Sequence, residues 1–153
     1  MEIISPVFRD GQAIPMQYSC SGQNVNPPIT IFNVPKNTQS LTLVMHDPDA
    51  PSGDYLHWLL WDIPPSTESI AVNSVPIGAV QGTNDSGETG YAGPCPPAGS
   101  GAHKYIFDFY ALDNTLDLPA GAKIADVIVA QKGHMLDHCA LTGTFEKPAQ
   151  TSA

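Results

Sequence analysis

Leu41-Thr42-Leu43-Val44-Met45-His46 is the stretch of sequence that decides the fold. Its apolar residues occupy both alternating faces of an extended chain, which is typical of a strand buried on both sides. Leu56–Ile63 follows after a proline-rich turn and has the same character. Strict alternation within it places His57 on the face of Leu59 and Trp61. We therefore predict two central strands of a sheet.

Three further segments have the composition of strands. In the run that begins at His103, alternation places Tyr105, Phe107 and Phe109 on one face and polar side chains on the other. The three predicted strands are Ile29–Asn33, Lys104–Leu112 and Leu141–Phe145.

One helix is predicted, from about Ala122 to Cys139, where apolar residues fall near helical spacing. Val127-Ile128-Val129 within it would also tolerate a strand. Many strands followed by a late helix favour a mainly β fold, an antiparallel sandwich or barrel with a peripheral helix. No glycine-rich loop stands between a strand and a helix, which argues against Rossmann and P-loop folds.

Length and composition predict one globular domain over residues 1–153, with a flexible tail over residues 148–153. The chain is 42% hydrophobic and 14% charged, which excludes a disordered protein. Its formal net charge of −9, with only six basic residues, argues against binding to nucleic acid and against stable association with anionic membranes. Any anion must therefore be held by local geometry.

Two features favour a cytoplasmic location. The first residues show no basic region followed by an apolar stretch, so we expect no secretory signal. Three cysteines, Cys20, Cys95 and Cys139, are an odd and sparse set, which suits a reducing compartment better than a disulfide framework.

The first candidate loop is Asp47-Pro48-Asp49-Ala50-Pro51, which leads to His57-Trp58. Its prolines fix φ at two positions and remove two backbone donors, so the turn is stiff. Taken separately, Asp47 would cap a turn and His57 would be a core histidine satisfied by a neighbour. Taken together, a carboxylate beside an imidazole sets the ring's tautomer and stabilises its protonated form. We predict that Asp47 orients His57 or accepts a hydrogen bond from a monoprotonated ligand.

The second candidate loop is Gly93-Pro94-Cys95-Pro96-Pro97, which leads to His103-Lys104-Tyr105. Only Gly93 and Cys95 retain a backbone N–H, so the loop offers at most two donors. Gly93 would let a ligand approach the main chain closely, and Cys95 is interpreted as a plain buried cysteine. His103 and Tyr105 are two residues apart and share one strand face. The alternative interpretation is a proline-rich surface turn beside an amphipathic strand.

These motifs, in this order and at these spacings, resemble those of the phosphatidylethanolamine-binding proteins, also called Raf-kinase-inhibitor-like proteins. The similarity is closest to the compact bacterial and archaeal branch. It extends over nearly the whole chain and includes three further segments: Ile4–Phe8, Tyr18–Gly22 leading into Asn26-Pro27-Pro28, and Gly133-His134 leading into Leu141–Phe145.

The resemblance implies a fold of two antiparallel sheets with a peripheral C-terminal helix and a small cavity for phosphate-like or carboxylate anions. We expect no cofactor, no bound metal and no catalytic residue, and the resemblance makes a homodimer plausible. The implied anion-binding residues are Asp47, Asp49, Ala50, His57, Gly93, Cys95, Pro96, His103 and Tyr105.

The leading functional hypothesis is a binding protein in which His57 and His103 donate to a phosphate-type oxygen and Tyr105 adds a hydroxyl. Binding would weaken as pH rises through about 6.5, the pKa of an unperturbed histidine. The anion could belong to a lipid headgroup or a phosphorylated protein, which would give a regulatory, kinase-inhibitor-like role.

The alternative hypothesis is an enzyme that uses the same side chains. Such a metal-dependent or acid/base hydrolase would draw ligands from His46, Asp47, Asp49, His57 and His103. A continuing strand would point His46 away from Asp47. A serine hydrolase is disfavoured because no Gly-x-Ser-x-Gly elbow occurs.

Overall fold

A computed structural model describes residues 1–149 and consists of two antiparallel sheets and one α-helix. The strands are β1 (Glu2–Ile4), β2 (Ile29–Phe32), β3 (Ser40–Asp47), β4 (Tyr55–Ile63), β5 (Ser69–Ile70), β6 (Val80–Gln81), β7 (His103–Leu112) and β8 (Met135–Phe145). A 3-10 helix spans Met16–Tyr18, and helix α1 spans Ile124–Gln131. The mainly β fold is therefore confirmed. Part of the predicted tail, residues 150–153, lies outside the described residues.

The five-stranded sheet has the order β6-β4-β3-β7-β8, and the three-stranded sheet has the order β1-β2-β5. Every pairing between these strands is antiparallel. Strand β3 lies at the centre of the larger sheet, between β4 and β7. The two predicted loops therefore leave neighbouring strands: one follows β3, and the other precedes β7.

Two apolar cores lie on opposite faces of the larger sheet. Ile31 of the small sheet, Met45 of β3 and Phe107 of β7 belong to the core between the sheets. Val127 of α1 belongs to the second core, and Val44 packs against it. Strand β3 thus contacts apolar groups on both sides, as its sequence predicts.

The predicted helix is wrong in its second half. Helix α1 ends at Gln131, and residues from Met135 onward form the first part of β8, which pairs with β7 along its length. Gly133 has a φ of +81°, a left-handed conformation that ends the helix and turns the chain into the strand. A weak local helix preference here yields to a ladder of backbone hydrogen bonds, which no local pattern can anticipate.

A β-bulge interrupts the pairing of β3 with β4. Met45 lies opposite Trp58, but the next residue of β3, His46, lies opposite Leu56. His57 is consequently an extra residue on β4 without a partner on β3. A bulge of this kind bends a strand and redirects a side chain.

The bulge corrects the predicted orientation of His57. Leu59 and Trp61 pack in the core beneath helix α1, whereas His57 lies on the other face, against the ring of Tyr105. Strict alternation failed because it assumes an uninterrupted ladder.

Candidate anion site

A cavity of about 420 Å³ lies where the loop after β3 meets the loop before β7. Its volume falls within the range of about 300–1,000 Å³ that is usual for small-molecule sites. Eight of the nine predicted site residues line it, and only Asp49 does not. The lining residues are Asp47, Ala50, Pro51, Ser52, Tyr55, His57, Ser86, Ala92, Gly93, Cys95, Pro96, Pro97, His103 and Tyr105.

Asp47 pairs with His103, and not with His57 as predicted. The Nδ1 atom of His103 lies 2.8 Å from Oδ2 of Asp47, and both residues are buried. The other carboxylate oxygen of Asp47 accepts the N–H of Asp49 at 2.7 Å. Asp47 is the last residue of β3 and His103 the first of β7, so the antiparallel pairing of these strands brings the two side chains together.

His57 is oriented by the second loop. Its Nδ1–H donates to the carbonyl oxygen of Ala92 at 2.7 Å, and this bond fixes the tautomer of the neutral ring with Nε2 unprotonated. Burial lowers the pKa of His57, although the Ala92 carbonyl and the charge of Asp47 act in the opposite direction. Burial therefore favours the neutral ring.

Tyr105 lies between the two histidines. The centroid of its ring is 5.2 Å from that of His57 and 6.5 Å from that of His103. Within residues 1–149 its buried hydroxyl has no hydrogen-bond partner. Burial, followed by the charge of Asp47 and by the nearness of its carboxylate to the hydroxyl, raises the pKa of Tyr105, and the Cys95 N–H acts in the opposite direction. The hydroxyl therefore keeps its proton and can donate it to a ligand. An unpaired buried hydroxyl is costly, which makes it a pointer to a bound group.

The second loop offers one backbone donor rather than two. The N–H of Gly93 is occupied, because it donates to Oδ1 of Asn24 at 2.8 Å. A Cβ at position 93 would lie 2.4 Å from the carbonyl oxygen of Tyr18. Glycine is thus required here for contact with the segment near Asn24, and not for the approach of a ligand. Cys95 retains an N–H close to the Tyr105 hydroxyl.

Cys95 is not the plain buried thiol that we predicted. It forms a disulfide with Cys20, and both residues are exposed at the protein surface. The backbone N–H of Cys20 also donates to the carbonyl of Pro94 at 3.0 Å. The disulfide and this hydrogen bond hold the cavity wall against the segment that carries Asn24. Three cysteines alone could not indicate which two would meet.

Asp49 lies outside the cavity lining and has a structural role. Its carboxylate accepts the N–H of Lys104 at 2.9 Å, which ties the first loop to the start of β7. Tyr55 and Ser86 line the cavity but were not predicted. Tyr55 could have been found, since it is two residues before His57 in an extended strand. Ser86 lies in a turn that has no local signal of proximity to the site.

The ligand set of the metal-hydrolase alternative is divided between two faces of the sheet. His46 points away from Asp47, as predicted, and its two ring nitrogens lie 2.7 Å from Asp54 and 2.6 Å from Asp108. Among residues 1–149, no group of three or more histidine, cysteine, aspartate or glutamate side chains is arranged to hold a metal ion.

Comparison with known proteins identifies the family of this chain. The family model described as phosphatidylethanolamine-binding protein matches residues 4–146. The chain belongs to this family. It is 43% identical over 152 residues to a UPF0098 protein of Methanothermobacter thermautotrophicus, with 96% of this chain and 99% of that protein covered.

Solved structures of family members have the same fold. The phosphatidylethanolamine-binding protein (PEBP) homologue CT736 of Chlamydia trachomatis has a TM-score of 0.90 and 36% identity, with 95% of this chain and 97% of that chain covered. Escherichia coli YbcL, described as a member of the mammalian PEBP family, has a TM-score of 0.89 and 28% identity, with coverages of 96% and 98%.

In the described part of this chain, no helix is both long enough and apolar enough to cross a bilayer.

Proposed function

We propose that this member of the family is a binding protein whose cavity takes a small phosphate-type or carboxylate anion. His57 and His103 supply the positive charge, and the Tyr105 hydroxyl and the Cys95 N–H supply neutral donors. These groups come from two loops and two strands held in place by hydrogen bonds and a disulfide. Donors fixed in this way bind an anion without a large ordering cost.

The observation that carries the proposal is the Tyr105 hydroxyl, buried without a hydrogen-bond partner in the described part of the chain, between two imidazole rings. A phosphate oxygen placed there would accept its proton. The same oxygen would also face the ring of His57. A purely apolar ligand would leave the hydroxyl unpaired.

Asp47 has a role compatible with an anion site although it carries negative charge. One of its oxygens accepts from Asp49 and the other from His103. Its second oxygen therefore fixes the orientation of the His103 ring against which an anion would bind. Asp47 thus favours the anion through His103, rather than by direct contact.

His57 makes binding depend on pH. Because its Nδ1–H already donates to Ala92, the ring can donate from Nε2 only when it is protonated. Burial lowers the pKa of His57, so a bound anion must draw a proton onto the ring. Affinity should therefore be greater at pH 5.5 than at pH 8.

Calorimetric titration with phosphate and with phosphoethanolamine at both pH values tests this function. Tyr105→Phe should weaken binding roughly tenfold, the equivalent of one hydrogen bond of about 1.4 kcal/mol. Tyr110→Phe is the matched control, since Tyr110 lies on the opposite face of the same strand. Binding that is stronger at pH 8, or unaffected by Tyr105→Phe, would overturn the proposal.

The size of the cavity allows the anion to be part of a larger molecule. Pro51, Tyr55 and Pro97 provide apolar wall beside the histidines, which suits a phosphomonoester better than inorganic phosphate alone. A lipid headgroup and a phosphorylated side chain of a protein both carry this chemistry. Recognition of the latter would give the regulatory, kinase-inhibitor-like role.

Two further expectations remain predictions. A homodimer is expected from the family resemblance and is checked by light scattering. The cytoplasmic location has lost its support from the cysteine count, because disulfides such as Cys20–Cys95 persist mainly in oxidising compartments.

A further inference from the structure

We infer that Ser100, His103 and Asp47 form a nucleophilic relay that transfers the acyl group of a small ester onto Ser100 and then to water. The Oγ atom of Ser100 lies 3.3 Å from Nε2 of His103, and Nδ1 of the same ring lies 2.8 Å from Asp47. A hydroxyl, an imidazole and a buried carboxylate in this sequence of contacts are the parts of a Ser-His-Asp triad, which is recognised by geometry and not by order in the chain.

The hydrogen bonds around Ser100 allow its hydroxyl to serve as the nucleophile. Its hydroxyl also lies 2.7 Å from the carbonyl oxygen of Pro97. That oxygen already accepts the backbone N–H of Ser100 at 3.1 Å. The hydroxyl can therefore turn toward His103 without leaving the Pro97 carbonyl unpaired.

Asp47 sets the tautomer that the relay requires. When the ring of His103 is neutral, the Asp47 carboxylate holds the single ring proton on Nδ1, so Nε2 is free to accept the proton of Ser100. When the ring carries both protons, Ser100 can only accept from it, and the ring is then suited to an anion. His103 and Asp47 thus serve anion binding in one protonation state and the chemistry of Ser100 in the other.

The turn around Ser100 exposes it to a reactant. Gly99 and Gly101 flank it with φ values of +82° and +83°, which give a tight turn that other residues rarely adopt. Ser100 is exposed, whereas His103 is buried behind it. In the described part of the chain no hydrogen bond engages the N–H of Gly101. The residue after the nucleophile supplies an oxyanion donor in known serine hydrolases.

The chemistry balances with water as the only co-reactant. Ser100 Oγ forms a bond to the ester carbonyl carbon while its proton passes to His103 Nε2. The carbon–oxygen bond to the alcohol then breaks, and His103 returns the proton to the leaving alcohol. Water, activated by the same ring, attacks the acyl-serine, and the acid and the free hydroxyl are released.

A fluorophosphonate probe tests the nucleophile separately from turnover. Attack by Ser100 forms an oxygen–phosphorus bond and releases fluoride, and peptide mass spectrometry identifies the labelled residue. We expect label on Ser100 and none at that site in Ser100→Ala. Ser66→Ala, which removes another exposed serine, is the matched control and should label as the parent protein does.

Asp47 is a positioning residue, and its variant is tested by a pH profile. In Asp47→Asn the rate of labelling should fall by roughly 100-fold or more, in line with the usual contribution of a general base. The dependence of the labelling rate on pH between 6 and 9 should also flatten. Partial unfolding alone would lower the amount of active protein but would not change the pH profile of the molecules that remain folded. The rates of p-nitrophenyl acetate hydrolysis should rank the parent protein and its variants in the same order as the rates of labelling.

The relay and the proposed anion site fail in distinguishable ways. Ser100→Ala should lose labelling and retain phosphate binding, because its hydroxyl is outside the cavity lining. Absence of label on Ser100 in the parent protein, or a label that persists at an unchanged rate in Asp47→Asn, would overturn the relay. Either result would leave the phosphate titrations unaffected.

Discussion

The carboxylate of Asp47 and the ring of His103 are 56 positions apart in the chain and meet at 2.8 Å. Their side chains are only 4% and 6% exposed. This pair connects the two loops that form the cavity. It also determines which of the two imidazoles in the cavity has a carboxylate partner.

Removing one member of this pair should destabilise the protein. We expect Asp47→Ala to lower the free energy of unfolding by about 3 kcal/mol, the lower end of the usual cost of leaving a buried partner unpaired. Asp113→Ala is the matched control, because Asp113 makes an aspartate–histidine pair at 2.7 Å whose side chains are both 46% exposed. That change should cost less than about 1 kcal/mol. Urea denaturation at pH 7 measures both, and equal losses would contradict the assignment.

The disulfide should stabilise the fold and the cavity together. Cys20 and Cys95 close a loop with a sequence separation of 75. The chain-entropy relation gives about 4 kcal/mol of stabilisation for a loop of this length. The double variant Cys20→Ser/Cys95→Ser should therefore unfold at lower urea and bind phosphate more weakly, because the Cys95 N–H is no longer held.

Cys139→Ser provides the control for that experiment. Cys139 is the unpaired cysteine of the described residues, and it lies on β8, outside the cavity. Its removal should leave phosphate affinity unchanged. Titration of thiols in the denatured parent protein should find one thiol before reduction and three after it. Three thiols before reduction would show that the disulfide does not form.

His57 should make the protein less stable in acid when no phosphate is added. Burial lowers its pKa in the folded state, so the unfolded chain binds the proton at a higher pH than the folded chain does. The free energy of unfolding should fall as pH decreases below about 6.5, the value for an unperturbed histidine. The difference between the parent protein and His57→Gln, measured in urea from pH 5 to 8, isolates this contribution. Saturating phosphate should reduce the slope.

His46 should act in the opposite direction. Its hydrogen bond with Asp108 is the main influence that raises its pKa to about 9, with Asp54 adding to the effect against burial. The stabilisation is complete below about 6.5, where the unfolded chain also holds the proton. It is lost as pH rises through 9. The measurement is the difference in the free energy of unfolding between the parent protein and His46→Gln. This contribution would be contradicted if the difference did not decrease between pH 7 and 10.

Local patterns predicted most of the sheet but not its interruptions. The alternation from Tyr105 to Phe109 and the two-sided apolar character of Leu41–Met45 identified β7 and β3 within one or two residues. Strands of two or three residues, such as β5 and β6, were not predicted, because they are too short to show a period. The first part of β8 was assigned to a helix, since its pairing with β7 is a contact between distant segments.

The sequence by itself determined that this chain forms stiff proline-containing turns at the ends of buried strands, because φ restriction and side-chain periodicity are local properties. It also determined the family, through two motifs in order. Only the tertiary structure decided that Asp47 faces His103, that a bulge turns His57 into the cavity, and that Cys20 meets Cys95. Each of these three features depends on strand register or on contact between distant segments. Register and long-range contact are not encoded in any single stretch of residues.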